Sequence, residues 1–417
     1  MDSNGPGSVP NTQFALPATV CQISQFIWQQ GGRAFLVGGP VRDLLLNLPC
    51  PDWDIAVDFG VRKNRLLVER KMVQTLQKTA NHLKGKFVFH RQFLTGTVTL
   101  PDEKKIDICH TRRESYIKPA TLPRVEPAAI DDDLARRDFT INALALELTA
   151  GGTILIDPFQ GQQDLHHRLV RILHPQSFID DPTRIFRAIR FAIRLDYRIE
   201  SGTLYLLRSA VNECYPALLT PERILYELRC ILAESAALKM VEALLRENVL
   251  KSCWTNWQLD RALLSGLKKL ARQGATPKEL FCYLLSFLPV NEKFPITTEE
   301  RDAAWLLRHL NPLRRRLMRA KRPSTIYHLL KPIPETLLLI MMKLEKRAIQ
   351  KKCRLFYHQL RFIKPETTAA RLINCGIPPG PEIGRLLRRL LNARLDKKVH
   401  TREEEIKLLK RWIGKGC

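Results

Sequence analysis

The sequence predicts a mixed α+β head followed by an all-helical remainder. Three observations carry this. Short apolar, strand-like runs alternate with helical patterns over residues 20–155, beyond about Gln160 the pattern is helical almost throughout, and no fixed-period repeat or low-complexity tract interrupts either part. At 417 residues, 45% of them hydrophobic, the chain exceeds the roughly 100–200 residues of a usual domain and has ample material for more than one core.

Residues 1–14, rich in Gly, Pro and Asn, read as a disordered leader. Strand-like runs follow at 34–37, 54–57, 86–89, 96–100 and 105–109. A further strand is expected around 141–148, before Gly151 and Gly152 turn the chain. Helical patterns lie between them at 41–47 and 62–81, and then dominate at 183–195, 221–235, 238–247, 259–272 and 301–310. These divisions suggest a head over 15–155, a helical neck over 156–235, a helical body over 236–300 and a basic helical tail over 301–417.

Composition narrows the function classes. No stretch reaches the roughly 18 unbroken apolar residues of a membrane span, and the first residues lack both the basic start and the apolar core of a secretory signal. The expectation is a soluble cytoplasmic protein without a membrane partner, monomeric or homodimeric. The 10 cysteines form no C-x-x-C pair, which argues against a zinc or redox motif and suggests that most are small core residues. Charge is the strongest signal: the net is +25, and residues 301–417 hold 29 Lys and Arg against 9 Asp and Glu. An excess so concentrated points to a polyanion such as nucleic acid.

The richest stretch runs Phe35, Leu36, Val37, Gly38, Gly39, Pro40, Val41, Arg42, Asp43, with Asp52, Trp53 and Asp54 close behind. A buried strand ending in two glycines and running straight into a helix lets backbone N–H groups approach a phosphate. Arg42, one turn in, suits bidentate phosphate contact, and Pro40 is tolerated in a first helical turn. Asp52 and Asp54 are two apart on a strand, hence on one face and about 7 Å apart, while Trp53 points away. Such a pair can converge on two Mg²⁺ ions about 4 Å apart, which serve in-line phosphoryl displacement. Asp107, between Ile106 and Ile108, is a candidate third carboxylate.

A second constellation, Arg136, Arg137, Asp138, Phe139, Thr140, Ile141, Asn142, Ala143, completes a pattern. Together with Gly38-Gly39-x-Val41-Arg42-Asp43 and Asp52-x-Asp54, it resembles the class II tRNA nucleotidyltransferases. These are the CCA-adding enzymes and bacterial poly(A) polymerases of the polymerase-β-like superfamily. Asp157, Gly161, Asp164 and Leu165 resemble the family's third motif, a link between head and neck. Asp180, Asp181, Pro182 and Arg184 resemble the fourth, with Asp180 where Glu is usual, and Glu222, Arg223 and Glu227 resemble the fifth.

The resemblance implies a polymerase-β-like head with Mg²⁺ on Asp52 and Asp54, and a triphosphate cradled by Gly39 and Arg42. It implies that Asp181 and Arg184, neighbours three apart on one neck helix, read the incoming base. A carboxylate only accepts hydrogen bonds and a guanidinium only donates them. Cytosine and adenine offer an amine donor beside a ring-nitrogen acceptor, whereas guanine and uracil present the reverse. A site that leaves buried polar groups unpaired discriminates by ~10⁴ or more. Arg187, Arg190 and Arg194 continue the stripe begun by Arg184 beside the expected triphosphate. Arg137 also reaches the nucleotide, Asp138 and Asn142 brace head to neck, and Glu222, Arg223 and Glu227 stabilise the neck by ion pairing.

The activity implied is template-independent addition of C and A to the 3′ end of tRNA from CTP and ATP, with the basic tail on the tRNA. The family also has a flexible loop after the strand carrying Asp107 that helps switch from C to A. Here it corresponds to residues 110–133 and is full-length, which counts against a CC-only enzyme. Complete CCA addition ranks first, A-only addition second and poly(A) synthesis behind; a catalytically silent RNA-binding scaffold is the non-enzymatic rival.

Overall fold

The computed structural model describes residue 14 and residues 16–50, 53–254, 261–291 and 294–413. Asp52 and residues 1–13 of the leader expected over 1–14 lie outside the described residues. The described residues form two compact units. The first comprises the described residues up to Glu227 together with 239–254, and the second comprises Leu228–Leu238 and the described residues from 261 onward.

The first unit is built on a seven-stranded mixed sheet in the order β3-β4-β5-β2-β1-β8-β9. Helix α1 (Ala18–Trp28) precedes β1 (Arg33–Val37), followed by α2 (Gly39–Leu45), β2 (Trp53–Asp58) and α3 (Arg65–His82). Next come β3 (Lys86–His90), β4 (Thr95–Thr99), β5 (Lys105–His110), β6 (Arg112–Ser115), β7 (Arg124–Pro127) and α4 (Ile130–Ala135). Strands β8 (Ala145–Thr149) and β9 (Gly152–Ile156) close the sheet. Strand β1, Arg-Ala-Phe-Leu-Val, is buried along its last four residues, as a strand covered on both faces must be. Helices α1 and α3 pack against the sheet. Its other face meets α4 through Phe35, Val37, Ala56, Ile130, Leu134, Ala143 and Ala145.

Register brings distant sequence together at one end of this sheet. Antiparallel pairing of β1 with β2 sets Leu36 opposite Ile55, so the end of β1 adjoins the start of β2. Pairing of β1 with β8 sets Val37 opposite Ala145, which brings the preceding Asn142 there too. The glycine turn, Asp54 and Asn142 therefore emerge at the same edge.

Helices continue the unit: α5 (Gly161–His166), α6 (Ser177–Asp180), α7 (Thr183–Arg194), α8 (Ser201–Asn212), α9 (Pro221–Leu232), α10 (Ala237–Arg246) and α11 (Val249–Cys253). Between them the two-residue strands Leu169–Val170 and Arg198–Ile199 pair in parallel. The second unit is helical throughout its described residues, with α12 (Arg261–Arg272), α13 (Pro277–Leu285), α14 (Thr298–Arg308), α15 (Asn311–Arg319), α16 (Pro323–Leu330), α17 (Glu335–Leu344) and α18 (Arg347–His358). Helices at Ala369–Asn374, Pro381–Leu395 and Arg402–Ile413 complete it. Two capping boxes, Thr276 with Glu279 and Thr297 with Glu300, start α13 and α14. No described helix is long and apolar enough to cross a membrane.

Differences from the sequence reading have local causes. Helix α3 begins at Arg65, because the Asn64 side chain caps it by accepting from Leu67 N–H and Arg62 is held back on Asp58. The strand expected over 141–148 begins only at Ala145, since Thr140–Asn142 form a 3₁₀ turn. The expected flexible loop over 110–133 contains the β6–β7 hairpin and the first turn of α4. Of the nine described cysteines only Cys253, Cys282 and Cys353 are buried, so the expectation that most are core residues fails.

Gly38 shows why the first turn needs glycine. Its φ of +74° is disfavoured for L side chains, and an added Cβ would lie 2.5 Å from Arg137 Nη1. At Gly39 the nearest atom to an added Cβ is 3.7 Å away. Gly38→Ala should therefore cost about 1–3 kcal/mol, lowering the melting temperature by roughly 2–4 °C per kcal/mol. Gly39→Ala should stay within about 0.5 kcal/mol. Thermal denaturation of both variants checks this.

Candidate active site

The converging ends of β1, β2 and β8, helix α2 and the polar face of α7 enclose a cleft of about 570 Å³. Gly39, Arg42 and Asp54 line it from the sheet side, Arg137, Asp138 and Asn142 from the turn before β8, and Asp181, Arg184, Arg187 and Arg190 from the α7 side. The three separate motifs of the sequence meet here.

Four residues run through its floor as one hydrogen-bonded chain. Arg42, only 3% exposed, donates through Nε to Asp43 Oδ1 at 2.8 Å and through Nη1 to Asn142 Oδ1 at 2.6 Å. Asn142 Nδ2 donates to Asp138 Oδ1 at 3.0 Å, and Arg187 donates through Nε and Nη2 to Asp138 Oδ2 at 2.8 and 2.6 Å. The chain ties α2, the 3₁₀ turn and α7 together. Burial opposes charge on Asp138, but Arg187 and the Asn142 hydrogen bond outweigh it and hold its pKa below the ordinary carboxylate value. Asp133, also buried, is lowered in the same way by Arg136 and Arg137 against its desolvation.

Arginines surround an aromatic ring at the centre of this wall. The guanidinium carbons of Arg42, Arg187 and Arg190 lie 5.1, 5.4 and 5.5 Å from the Phe191 ring centroid, within cation–π range. Phe139 meets the same ring edge-on at 5.9 Å. Among the described residues the buried Nε atoms of Arg137 and Arg190 have no hydrogen-bond partner. A cleft lined by Arg42, Arg137, Arg184, Arg187 and Arg190 has the chemistry of an anion site.

Asp181 departs from the sequence reading. It is not on the helix with Arg184 but in extended backbone, φ −136° and ψ 91°, because Pro182 follows it and disfavours a helical conformation there. Its Oδ1 accepts from Thr183 N–H at 3.0 Å, Thr183 Oγ1 at 2.6 Å and Arg223 Nη2 at 2.7 Å. Arg184 is buried, donating to Ser177 Oγ at 2.6 Å and to the Arg136 carbonyl at 2.7 Å. Both residues nonetheless face one cleft.

Other expected residues lie off it. Asp107 is the register partner of Asp54 on the parallel neighbour β5, so the two carboxylates share a sheet face. Yet Asp107 is exposed, accepts from Thr97 Oγ1 at 2.6 Å and is absent from the cleft lining. Glu222 is exposed on α9. Arg223 reaches Asp181 and also the Ala120 carbonyl at 2.9 Å. Glu227 stands 3.9 Å from Arg190, and burial raises its pKa in spite of Arg187 and Arg190.

The cleft also contains residues to which the sequence reading gave no role: Glu114, Tyr116, Arg136, Phe191 and Tyr226. Glu114 takes Arg112 at 3.1 Å, Arg136 at 2.9 Å and the Tyr116 hydroxyl at 3.3 Å. Phe191, an aromatic inside a basic helical stripe, was the one signal in the sequence that could have found this hub.

Comparison with known proteins places the geometry in context. Residues 34–171 match the family model described as the poly A polymerase head domain. A protein of Halalkalibacterium halodurans named A-adding tRNA nucleotidyltransferase is 36% identical over 366 residues, 83% of this chain and 81% of that one. A CC-adding tRNA nucleotidyltransferase of Deinococcus radiodurans is 30% identical over 91% of this chain and 89% of its own. The chain spans only 44% and 45% of the A-adding relatives of Geobacter sulfurreducens and Aquifex aeolicus. A solved CCA-adding enzyme in an apo form aligns with a TM-score of 0.74 at 28% identity, covering 95% of this chain and 97% of that one.

Because the folded pKa of Asp138 is depressed, its contribution to stability is present above the unfolded value near ~3.9. It is lost as pH falls through the folded value. Asp138→Asn should cost about 1–3 kcal/mol at pH 7, reduced by the partial exposure of Arg187. The gap to wild type should close in the acid range below pH ~4. Denaturant unfolding of both proteins across pH 3–7 measures it.

Proposed function

The chain belongs to the tRNA nucleotidyltransferase family and is an enzyme of that family; from this premise we propose that it adds C and A to the 3′ end of tRNA, without a nucleic-acid template, from CTP and ATP. The 3′-hydroxyl attacks the α-phosphate and pyrophosphate leaves. The observation that carries the reading is the single cleft lined by Asp54, the Asp181 and Arg184 pair, and the arginines Arg42, Arg137, Arg187 and Arg190.

The roles follow the chemistry. Gly39 and Arg42 form the seat of the triphosphate, and the Arg137, Arg187 and Arg190 guanidinium groups of the same cleft add positive field for its oxygens. Asp181 accepts from, and Arg184 donates to, the Watson–Crick edge of C or A. Three donors on Oδ1 hold the Asp181 carboxylate in place without neutralising its accepting character. Asp138 and Asn142 brace the floor, while Glu222, Arg223 and Glu227 support the neck.

The chemistry of the donors suits a hard divalent cation: the Asp54 carboxylate lines the cleft and Asp52 stands two residues before it in the sequence. Asp54 with Asp52 would hold that ion, Mg²⁺ in this reading. When bound, it lowers the pKa of the attacking hydroxyl and offsets developing charge. The basic C-terminal helices would grip the tRNA backbone, so binding should weaken steeply with salt.

A-only addition is the second reading, favoured by the names of the relatives matched over most of this chain. Incorporation by the purified chain with Mg²⁺ on tRNAs ending at the discriminator base, at C and at CC separates the possibilities. Two C then one A is the expected result. ATP labelling of the CC-ended tRNA alone makes it A-adding, stopping after two C makes it CC-adding, and long A tails on unrelated RNA make it a poly(A) polymerase. Asp54→Ala should lower incorporation by about 10³-fold with tRNA affinity kept. Tight tRNA binding with no incorporation by the wild-type chain overturns the reading in favour of a scaffold.

A further inference from the structure

The second unit has its own cleft, of about 1160 Å³, among α12, α13, α15, α17 and α18.

Two kinds of wall face each other in it. One is apolar and aromatic: Tyr283 and Phe287 meet edge to face at 5.2 Å, beside Ile340, Met341 and Leu344. The tyrosine is built in. Gly266 lies in the middle of α12, and a Cβ there would fall 1.9 Å from the Tyr283 hydroxyl, which donates to the Ala262 carbonyl at 3.1 Å. A helix-interior glycine costs about 1 kcal/mol relative to Ala, and here it makes room for the ring.

The other wall is cationic. Lys269, Arg308, Arg314, Arg315, Arg319 and Lys346 line the cleft against one carboxylate, Glu345. Glu345 is already paired with Arg314 at 2.6 Å. Lys269 and Arg308 are spent on carbonyls at helix ends, Leu344 for the first and Ser286 for the second. Arg315 and Arg319 are exposed and, four apart on α15, project from one helix face. Met318, 49% exposed, sits between them in sequence.

Aromatic and apolar surface on one side with a surplus of arginine on the other recognises a ring carrying a phosphate. We propose that this cleft is a second nucleotide-binding site, which seats an unpaired residue of an RNA strand with the base against the Tyr283 and Phe287 wall and the backbone phosphates on Arg315 and Arg319. It rests on the reading of RNA as substrate, and names a place for it remote in sequence from the catalytic motifs.

The test uses the full chain and the double variant Arg315→Ala/Arg319→Ala, whose side chains are on the surface. Binding of a short single-stranded oligoribonucleotide, of the same strand with abasic sites, and of free AMP and CMP is measured at several salt concentrations. Wild type should bind the normal strand about tenfold more tightly than the abasic one. The double variant should lose at least tenfold in affinity for the normal strand, with a salt slope shallower by about 2. Equal binding of normal and abasic strands, or unchanged RNA affinity in the double variant, overturns the proposal. Free mononucleotide binding lost in the variant without loss of strand binding also overturns it, assigning the cleft to a small ligand. Wild type that binds the strand through this cleft but incorporates nothing would fail the catalytic reading while leaving the cleft in place.

Discussion

The buried chain of Arg42, Asn142, Asp138 and Arg187 is the constraint on which the rest of the site depends. Its members come from three elements separated by some 145 residues, and each hydrogen bond satisfies a group that burial would otherwise penalise. A fully satisfied network of this kind permits few alternatives: moving α7 relative to the sheet would strand a buried aspartate or a buried arginine. The network therefore sets the positions of Arg184 and Arg190 as firmly as it sets its own members. It is also why Asp138 stays ionised inside the protein.

The sheet supplies the other half of the geometry. A strand that ends in Gly38 can turn tightly only because no Cβ competes with the Arg137 guanidinium for the same space. Antiparallel neighbours on both sides of β1, namely β2 and β8, bring Asp54, Arg42 and Asn142 to one edge. Around Phe191 three guanidinium groups share one aromatic ring, while each also pairs with a carboxylate, Arg42 with Asp43, Arg187 with Asp138 and Arg190 with Glu227. In the proposed function the arginines that line this cleft receive the triphosphate.

Much of this was legible in the sequence, and what was not has physical reasons. The head strands follow apolar runs, and the two glycines, the paired aspartates and Arg136-Arg137-Asp138 could be read as motifs because their chemistry is local. Tyr116, Glu114 and Tyr226 could not, since register and helix packing bring them in from afar. Strand β9 was hidden behind Gly151 and Gly152, read only as a turn. Asp181 was placed on a neck helix with Arg184 by the family resemblance, although Pro182 in the same sequence disfavours helix there. Asp107 shows the opposite case: its strand and face were readable, but that this face at Asp107 lies off the cleft was not.

In the proposed function a fixed carboxylate and a fixed guanidinium choose the base. The most direct measurement is single-turnover incorporation of ATP and GTP on a CC-ended tRNA by wild type and by Asp181→Asn, whose amide can donate where the carboxylate only accepts. Wild type should prefer ATP by ~10⁴ or more, and the variant's preference should fall by about a hundredfold while its melting temperature is unchanged. An undiminished preference for ATP in Asp181→Asn would contradict the claim and place base selection elsewhere in the cleft.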